Sequence, residues 1–437
     1  MTPSRQSYHH FDRGLKQTVD WWLVILYLII ALIGCVSIYA SIHSSDPSSI
    51  FDLNSRSGKQ ILWLGISLVV DLIILFAVNP RIWEVVSSMG YILVLILLVV
   101  VIFVSKDVKG SHSWFELGPI KFQPAEVSKI TTSLMLAGVM SRPNFRFNSK
   151  AGLLSVALVL GLPMLAILGE SETGSALVYV GFVFVLYREG LSGWWLALIG
   201  LAIVLFIFTL IFNWKISALV LVGICLIYYL YFLKHTRKEA RNARRIVLLR
   251  VLAVIAGGLM LIFATDFIFN NVLQDHQRGR IEVLLGLKED PSGVGYNVRQ
   301  SMIAIGSGGF AGKGFLSGTQ TTYGFVPEQS TDFIFCTIGE EWGFIGCLFL
   351  LLLYVALISR IVSDAEKCRE AFTRIYGYCL ASCLFMHLFI NIGMTIGLMP
   401  VIGIPLPMLS YGGSSLLAFS IFIFIFIALY RQENKYF

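Results

Sequence analysis

Charge is what this chain has least of. Of its 437 residues only 14% are Asp, Glu, Lys or Arg, while 57% are hydrophobic and the mean hydropathy is +0.78. Soluble domains carry about 25% charged residues, so the deficit excludes a string of two or three soluble domains with polar surfaces between them. The two halves show no internal repeat. The seven cysteines form no CxxC pair and no disulfide framework: Cys35, Cys225, Cys336, Cys347, Cys379 and Cys383 lie in apolar runs and Cys368 in a charged loop. The seven histidines make no HExxH pattern, which argues against a zinc site. A cleavable signal is also missing. Residues 1–19 are polar, and a span-length apolar run follows from Trp21 with no small-residue cleavage site in a short apolar core, so a retained first helix is expected.

What the chain does have is long apolar runs from end to end. A membrane span needs about 20 mainly apolar residues. Twelve candidates are predicted: 20–42, 60–78, 87–104, 123–141, 151–169, 174–188, 193–212, 214–233, 247–267, 333–358, 375–398 and 410–430. The run at 174–188 is short enough for a half-helix. With a cytoplasmic N-terminus, 21 of the 33 Lys and Arg fall on the inner side and 11 on the outer, the split expected of a cytoplasmic-membrane protein. The same arrangement assigns the net charge of +7 to anionic membrane lipid, not to nucleic acid. The basic block KHTRKEARNARR (234–245) is its clearest part. The longest polar stretch, 268–332, falls outside. Its apolar patches, Ile281 to Leu287 and Met302 to Ile305, suit short helices lying in the interface.

Charged groups at membrane depth are functional candidates by default. Glu126 and Lys129, three apart, share a helix face. They read either as a structural ion pair or as the charged wall of a substrate cavity. Glu170 and Glu172 read as solvated caps at a junction between apolar runs. Asp71 stands alone in the second span and is expected buried and hydrogen-bonded, or protonated. In the outer stretch, Asp275, His276, Arg278 and Arg280 precede Glu289 and Asp290. Asp290-Pro291-Ser292-Gly293 has turn chemistry. A carboxylate beside guanidinium groups is also what glycosyl transfer needs, one group to take a proton from a sugar hydroxyl and others to hold a departing phosphate. The run GSGGFAGKG (306–314) fails the phosphate-loop pattern, because Ser307 stands where Gly is required and Gly314 follows Lys313. Close backbone approach is its expected use, with Lys313 near an anion. In PLPMLSYGGSS (405–415), Pro and Gly interrupt the helix. Irregular backbone at that depth must line a cavity or be buried in protein. His387 and Asn391, four apart, point toward the same region.

Six stretches carry a family resemblance. They are GSHSWFELGPIKFQPAEVSK (110–129), HQRGRI (276–281), DPSGVGYNVRQSMIAIGSGGFAGKGFLSGTQ (290–320), FVPEQSTDFIF (325–335), GEEWGFIG (339–346) and NIGMTIGLMPVIGIPLPMLSYGGSS (391–415). The chain resembles the SEDS family (shape, elongation, division and sporulation), and its GTQ at 318–320 and PEQ at 327–329 look more like the elongation branch than the division branch.

The resemblance implies an all-α polytopic membrane protein with a ten-span core and a long extracytoplasmic loop. It implies a peptidoglycan glycosyltransferase that polymerises lipid II, with Asp290 on the family's essential aspartate and Glu126 and Lys129 on its paired Glu and Lys. Arg278, Arg280, Lys313 and Glu172 are further candidate substrate-binding residues. A divalent cation (Mg or Mn) is a candidate cofactor, and a class B penicillin-binding protein the implied partner. The alternative is a flippase for the same lipid-linked precursor. Four departures stand out. Ser113 precedes Trp114 where the family often has Arg; QPS-E reads QPAE (123–126); QPDLGT reads ESETGS (170–175), so Glu172 replaces the family Asp; and two extra crossings are expected, from a hairpin inserted at about 214–246.

Overall fold

The computed structural model describes residues 19–43, 49–105, 111–117, 120–147, 149–235, 241–273, 275–288 and 294–434. The chain forms two compact units, one of Met1–Gly190 with Tyr296–Phe437 and one of Leu191–Gly295.

In the larger unit the helices are α1 (Trp21–Ile42), α2 (Arg56–Phe76), α3 (Arg81–Val104), α4 (Pro124–Met140), α5 (Lys150–Gly169), α6 (Thr173–Val180) and α7 (Phe182–Arg188). After the smaller unit's α8 (Gly193–His235), α9 (Arg241–Phe267) and α10 (Asp275–Leu284) come α11 (Val294–Ser307), α12 (Ile334–Lys367), α13 (Ala371–Thr395) and α14 (Gly413–Asn434). A two-stranded hairpin, β1 (Phe115–Leu117) with β2 (Ile120–Phe122), precedes α4, its Glu116 facing Lys121 at 3.1 Å.

Local chemistry sets several helix starts. Asp20 caps α1 by accepting from the Trp22 and Leu23 amides, and its other oxygen takes Arg360 of α12 at 2.5 Å. Ser55 and Ser149 cap α2 and α5 in the same way, and Pro124 opens α4, where its missing N–H costs nothing.

Nine helices among the described residues are long and apolar enough to cross a membrane. The twelve predicted runs differ from these in three places. α4 is 17 residues long. The run at 174–188 is two short helices that meet at Gly181. The runs 193–212 and 214–233 are joined in the 43-residue α8, whose Asn213 leaves helical geometry at φ 69° and ψ 150°.

α13 and α14 form the centre of the larger unit, with 78% and 72% of their apolar windows buried, against 28% for α3. Lipid offers no hydrophobic drive to pack helices, so close backbone approach and polar bonds hold them. Tyr27 of α1 and Asp71 of α2 meet on the Ser420 hydroxyl of α14, at 2.9 and 2.5 Å. Asp71 is buried and hydrogen-bonded, as its sequence setting predicts. In the smaller unit, the second half of α8 packs antiparallel on α9: Trp214 meets Phe263, Leu221 meets Gly258, and Tyr229 and Val247 join the same apolar cluster. The stretch after α9 holds a π-turn (Ile268–Val272) and the short helices α10 and α11.

Candidate active site

α4 carries the predicted ion pair. Lys129 Nζ lies 2.8 Å from Glu126 Oε1, and the two side chains are 1% and 3% exposed. The ammonium has two further partners that no local pattern shows. It reaches His387 Nε2 of α13 at 2.9 Å and lies 5.0 Å from the Phe419 ring of α14. His387 Nδ1 sits 3.1 Å from the Pro405 carbonyl. A carbonyl only accepts, so Nδ1 carries the proton, and Nε2 is left with a lone pair for the ammonium. Ser415 donates to the other Glu126 oxygen at 3.3 Å. Three helices thus close around a fully desolvated cation and anion.

The irregular segment between α13 and α14 is buried in protein over residues 406–410, while Ile396 and Leu398 at its start are exposed. Its backbone groups are answered by polar side chains from neighbouring helices, as membrane depth requires. Asn391 donates to the Ile404 carbonyl at 2.7 Å, Tyr354 to Pro407 at 2.5 Å, and Gln60 to Ser410 at 3.3 Å while accepting from the Gly412 amide. Tyr411 donates its amide to Ser330, whose hydroxyl takes Arg56 of α2 at 2.6 Å.

The glycine-rich run 306–314 has the use predicted for it. α12 is broken at Gly343 (φ 62°, ψ −157°), which strands carbonyls on one side and amides on the other. The run fills both. Lys313 and Gly314 donate to the Glu340 and Glu341 carbonyls, and Phe344 and Ile345 donate to Gly309 and Phe310, all at 3.0–3.2 Å. Gly312 has φ +83°, and a Cβ there would strike the Glu341 carbonyl.

Lys313 does find an anion, but an internal one. Its Nζ is 2.7 Å from Glu340 Oε1. The same carboxylate accepts from the amides of Thr319, Gln320 and Thr321 and from the Thr321 hydroxyl, all at 2.7–2.9 Å. Sequence reasoning passed over Glu340. Its signal was the one applied to Glu126, an acid inside an apolar run.

Glu172 belongs with the buried pair. Its carboxyl accepts from Ser111 at 3.0 Å, and Ser111 bonds Ser113 in turn. Burial raises the Glu172 pKa, the Ser111 and Ser113 hydroxyls oppose this, and Glu126 and Lys129 are close enough to act on it with opposite signs. Two departures from the family pattern, Ser113 and Glu172, therefore meet in space. Glu170 corrects its predicted reading as a solvated cap. It is fully buried, with no partner for either carboxyl oxygen among the described residues. Ser171, at φ 64°, makes the tight turn between Glu170 and Glu172.

Burial pushes the Glu170 pKa up to about 9, and Glu172 adds to the shift. The unfolded carboxyl ionises near 4.5, so the folded state holds the extra proton between those values. Stability from this group is fullest below pH 4.5 and falls as pH rises toward 9. Glu170→Gln should remove that slope and raise the melting temperature at pH 8 more than at pH 5, the destabilisation removed being at most about 3–5 kcal/mol at pH 7–8. Melting curves of both proteins at the two pH values check this, and equal shifts at both would refute the buried neutral acid.

Asp290 lies outside the described residues, as does Glu289. Arg278 on α10 is spent on backbone, its guanidinium donating to the Phe269 and Asn270 carbonyls at 3.0 and 2.5 Å. Arg280 is half-buried on the same helix. Among the described residues no three His, Cys, Asp or Glu side chains could hold a metal ion together.

A family model described as "Cell cycle protein", covering FtsW, RodA and SpoVE, matches residues 20–221 and 242–435 and skips the 20 residues between. The chain is 34% identical over 360 residues to the peptidoglycan glycosyltransferase MrdB of Escherichia coli, covering 82% of this chain and 81% of that one. It is 30% identical over 426 residues to the peptidoglycan glycosyltransferase RodA of Treponema pallidum, at 92% and 95% coverage. Its fold matches a chain solved in a study of how a peptidoglycan synthase complex coordinates polymerization and crosslinking, with a TM-score of 0.69, 25% identity and coverage of 96% and 99%. A helical bundle of this order, with the six motif stretches lying within the matched residues, belongs to the FtsW/RodA/SpoVE family of multi-pass membrane proteins.

Proposed function

We propose that this chain is a peptidoglycan glycosyltransferase that polymerises lipid II during cell-wall elongation. The observation that carries the reading is the match over four fifths of the chain to a relative named for that activity. The 4-hydroxyl of one sugar attacks C1 of another that is linked to lipid pyrophosphate. The C1–oxygen bond to phosphate breaks as the new one forms, and the pyrophosphate leaves with the electron pair. Asp290 takes the hydroxyl proton. An α-linked donor and a β-linked product mean a single inverting displacement with no covalent intermediate.

The candidate cations divide by what already holds them. Lys129 is enclosed by Glu126, His387 and Phe419, and supports the site's walls. Lys313, 26% exposed, is the more accessible of the two lysines for an oxyanion, with Glu340 fixing its position. The crosslinking partner is a class B penicillin-binding protein, in line with the synthase complex whose chain shares this fold.

A second reading, flipping of the same precursor across the bilayer, is favoured by the buried Glu126–Lys129 pair. Purified protein given lipid II in detergent, with no bilayer to cross, separates the two. Strands form only if the chain is the enzyme.

The active face is extracytoplasmic and both termini are cytoplasmic in this reading, with the membrane being the bacterial inner one. The seven native cysteines are buried, so introduced ones report cleanly. An impermeant thiol reagent added outside should label Ser317→Cys and spare Asn242→Cys. Labelling of both from one side would overturn the inserted-hairpin topology.

A further inference from the structure

A cavity of about 410 Å³ lies where α2 and α14 end and α3 begins, far along the chain from every motif stretch but the last. Its wall is the turn from Phe76 through Asn79 and Pro80 to Arg81, faced by Arg431 and Gln432 in the last turns of α14. Two spans end at this level and a third starts, so the cavity sits where hydrocarbon gives way to water. That is the depth of lipid phosphate groups.

Arg81 and Arg431 line the cavity, and among the described residues no acidic one does. Arg431 gives one N–H to the Leu75 carbonyl at 2.9 Å and lies 5.2 Å from the Phe76 ring, while its Nε finds no acceptor among the described residues. A guanidinium has five N–H donors in a planar fork that matches phosphate oxygens. Acids do stand nearby: Glu370 feels Glu84, Glu433 and Arg81, and Glu433 accepts from the Arg369 amide at 2.8 Å. They moderate the field at Arg81, yet none of the three forms the wall. Helix-end anchoring accounts for either arginine alone. It does not account for two that line one cavity of ligand size.

We propose that this cavity holds the phosphate of an anionic lipid headgroup from the leaflet it opens to. Phe76, 53% exposed at the wall, favours a lipid over a free ion, because a soluble phosphate gains nothing from an apolar ring. The two positive charges favour anionic headgroups over phosphatidylcholine, whose own cation they repel.

The test uses full-length protein in phosphatidylcholine nanodiscs doped with phosphatidylglycerol, with retained lipid read by native mass spectrometry. Wild type should retain phosphatidylglycerol. Arg81→Gln and Arg431→Gln should each lower retention about fivefold, the equivalent of roughly 1 kcal/mol per basic residue. Arg431→Gln also removes the bond to Leu75, so Arg81→Glu serves as the variant that leaves that bond intact, and it should abolish the preference. Unchanged retention in Arg81→Glu overturns the proposal. Displacement of the lipid by inorganic phosphate alone, or an equal thermal shift from phosphate in detergent, overturns the lipid assignment in favour of a free-anion site.

Discussion

Asp290→Asn should lower lipid II polymerisation by at least about 10²-fold while leaving expression, melting temperature and partner binding near wild type. Asn is almost isosteric and suits the same turn sequences, so folding should be unaffected. It cannot take up a proton as a carboxylate does, and general-base assistance is worth about 10²–10⁴ in rate. The alternatives predict other outcomes. A turn-forming aspartate gives near-normal strand synthesis, and a flippase gives no strand synthesis in either protein. Purified Asp290→Asn that retains more than about a tenth of the wild-type rate would exclude this residue as the base.

The second large effect lies in the buried triad of Glu126, Lys129 and His387. Lys129→Met leaves the Glu126 carboxylate, among the described residues, with the Ser415 hydroxyl and strips His387 Nε2 of its donor. Breaking a buried pair by removing one partner costs about 3–5 kcal/mol, because the other charge stays desolvated. The variant should therefore melt far below wild type. Glu126→Gln together with Lys129→Met removes both charges and should recover much of that loss, a coupling that thermal melts of the four proteins measure directly. If Lys129→Met alone melts within a degree or two of wild type, the pair is not the desolvated one described. Glu126→Gln alone tests chemistry: a folded variant that polymerises normally takes the pair out of the substrate's reach.

Legibility varied with distance along the chain. Spans could be read because about 20 apolar residues in a row have few other uses, and the boundary drawn between 193–212 and 214–233 falls on Asn213, where the backbone leaves helical geometry. The Glu126–Lys129 face follows from i,i+3 spacing. His387, 258 positions away, does not, since its meeting with Lys129 depends on how α4 and α13 pack. Glu170 misled for a related reason. Polar residues between apolar runs read as solvated, and the turn at Ser171 and the covering segment Ser111–Ser113 are tertiary facts. Glu340 shows the same limit: its donors at 319–321 form no pattern with it in sequence. The Asp290 assignment came from motif resemblance, since spacing alone favoured a turn.

The seam between the 306–314 run and the broken α12 is written almost wholly in main-chain atoms: four amides and four carbonyls trade partners across it. Apart from the Lys313–Glu340 ion pair, such a joint carries little side-chain information. Substitution can do little to tune the main-chain bonds, and at Gly312 and Gly343 the only tolerated letter is the one with no side chain. A mutational scan of this chain would therefore record intolerance here as sharp as at a reacting carboxylate. Ranking residues by intolerance alone would mistake a hinge pin for a catalyst.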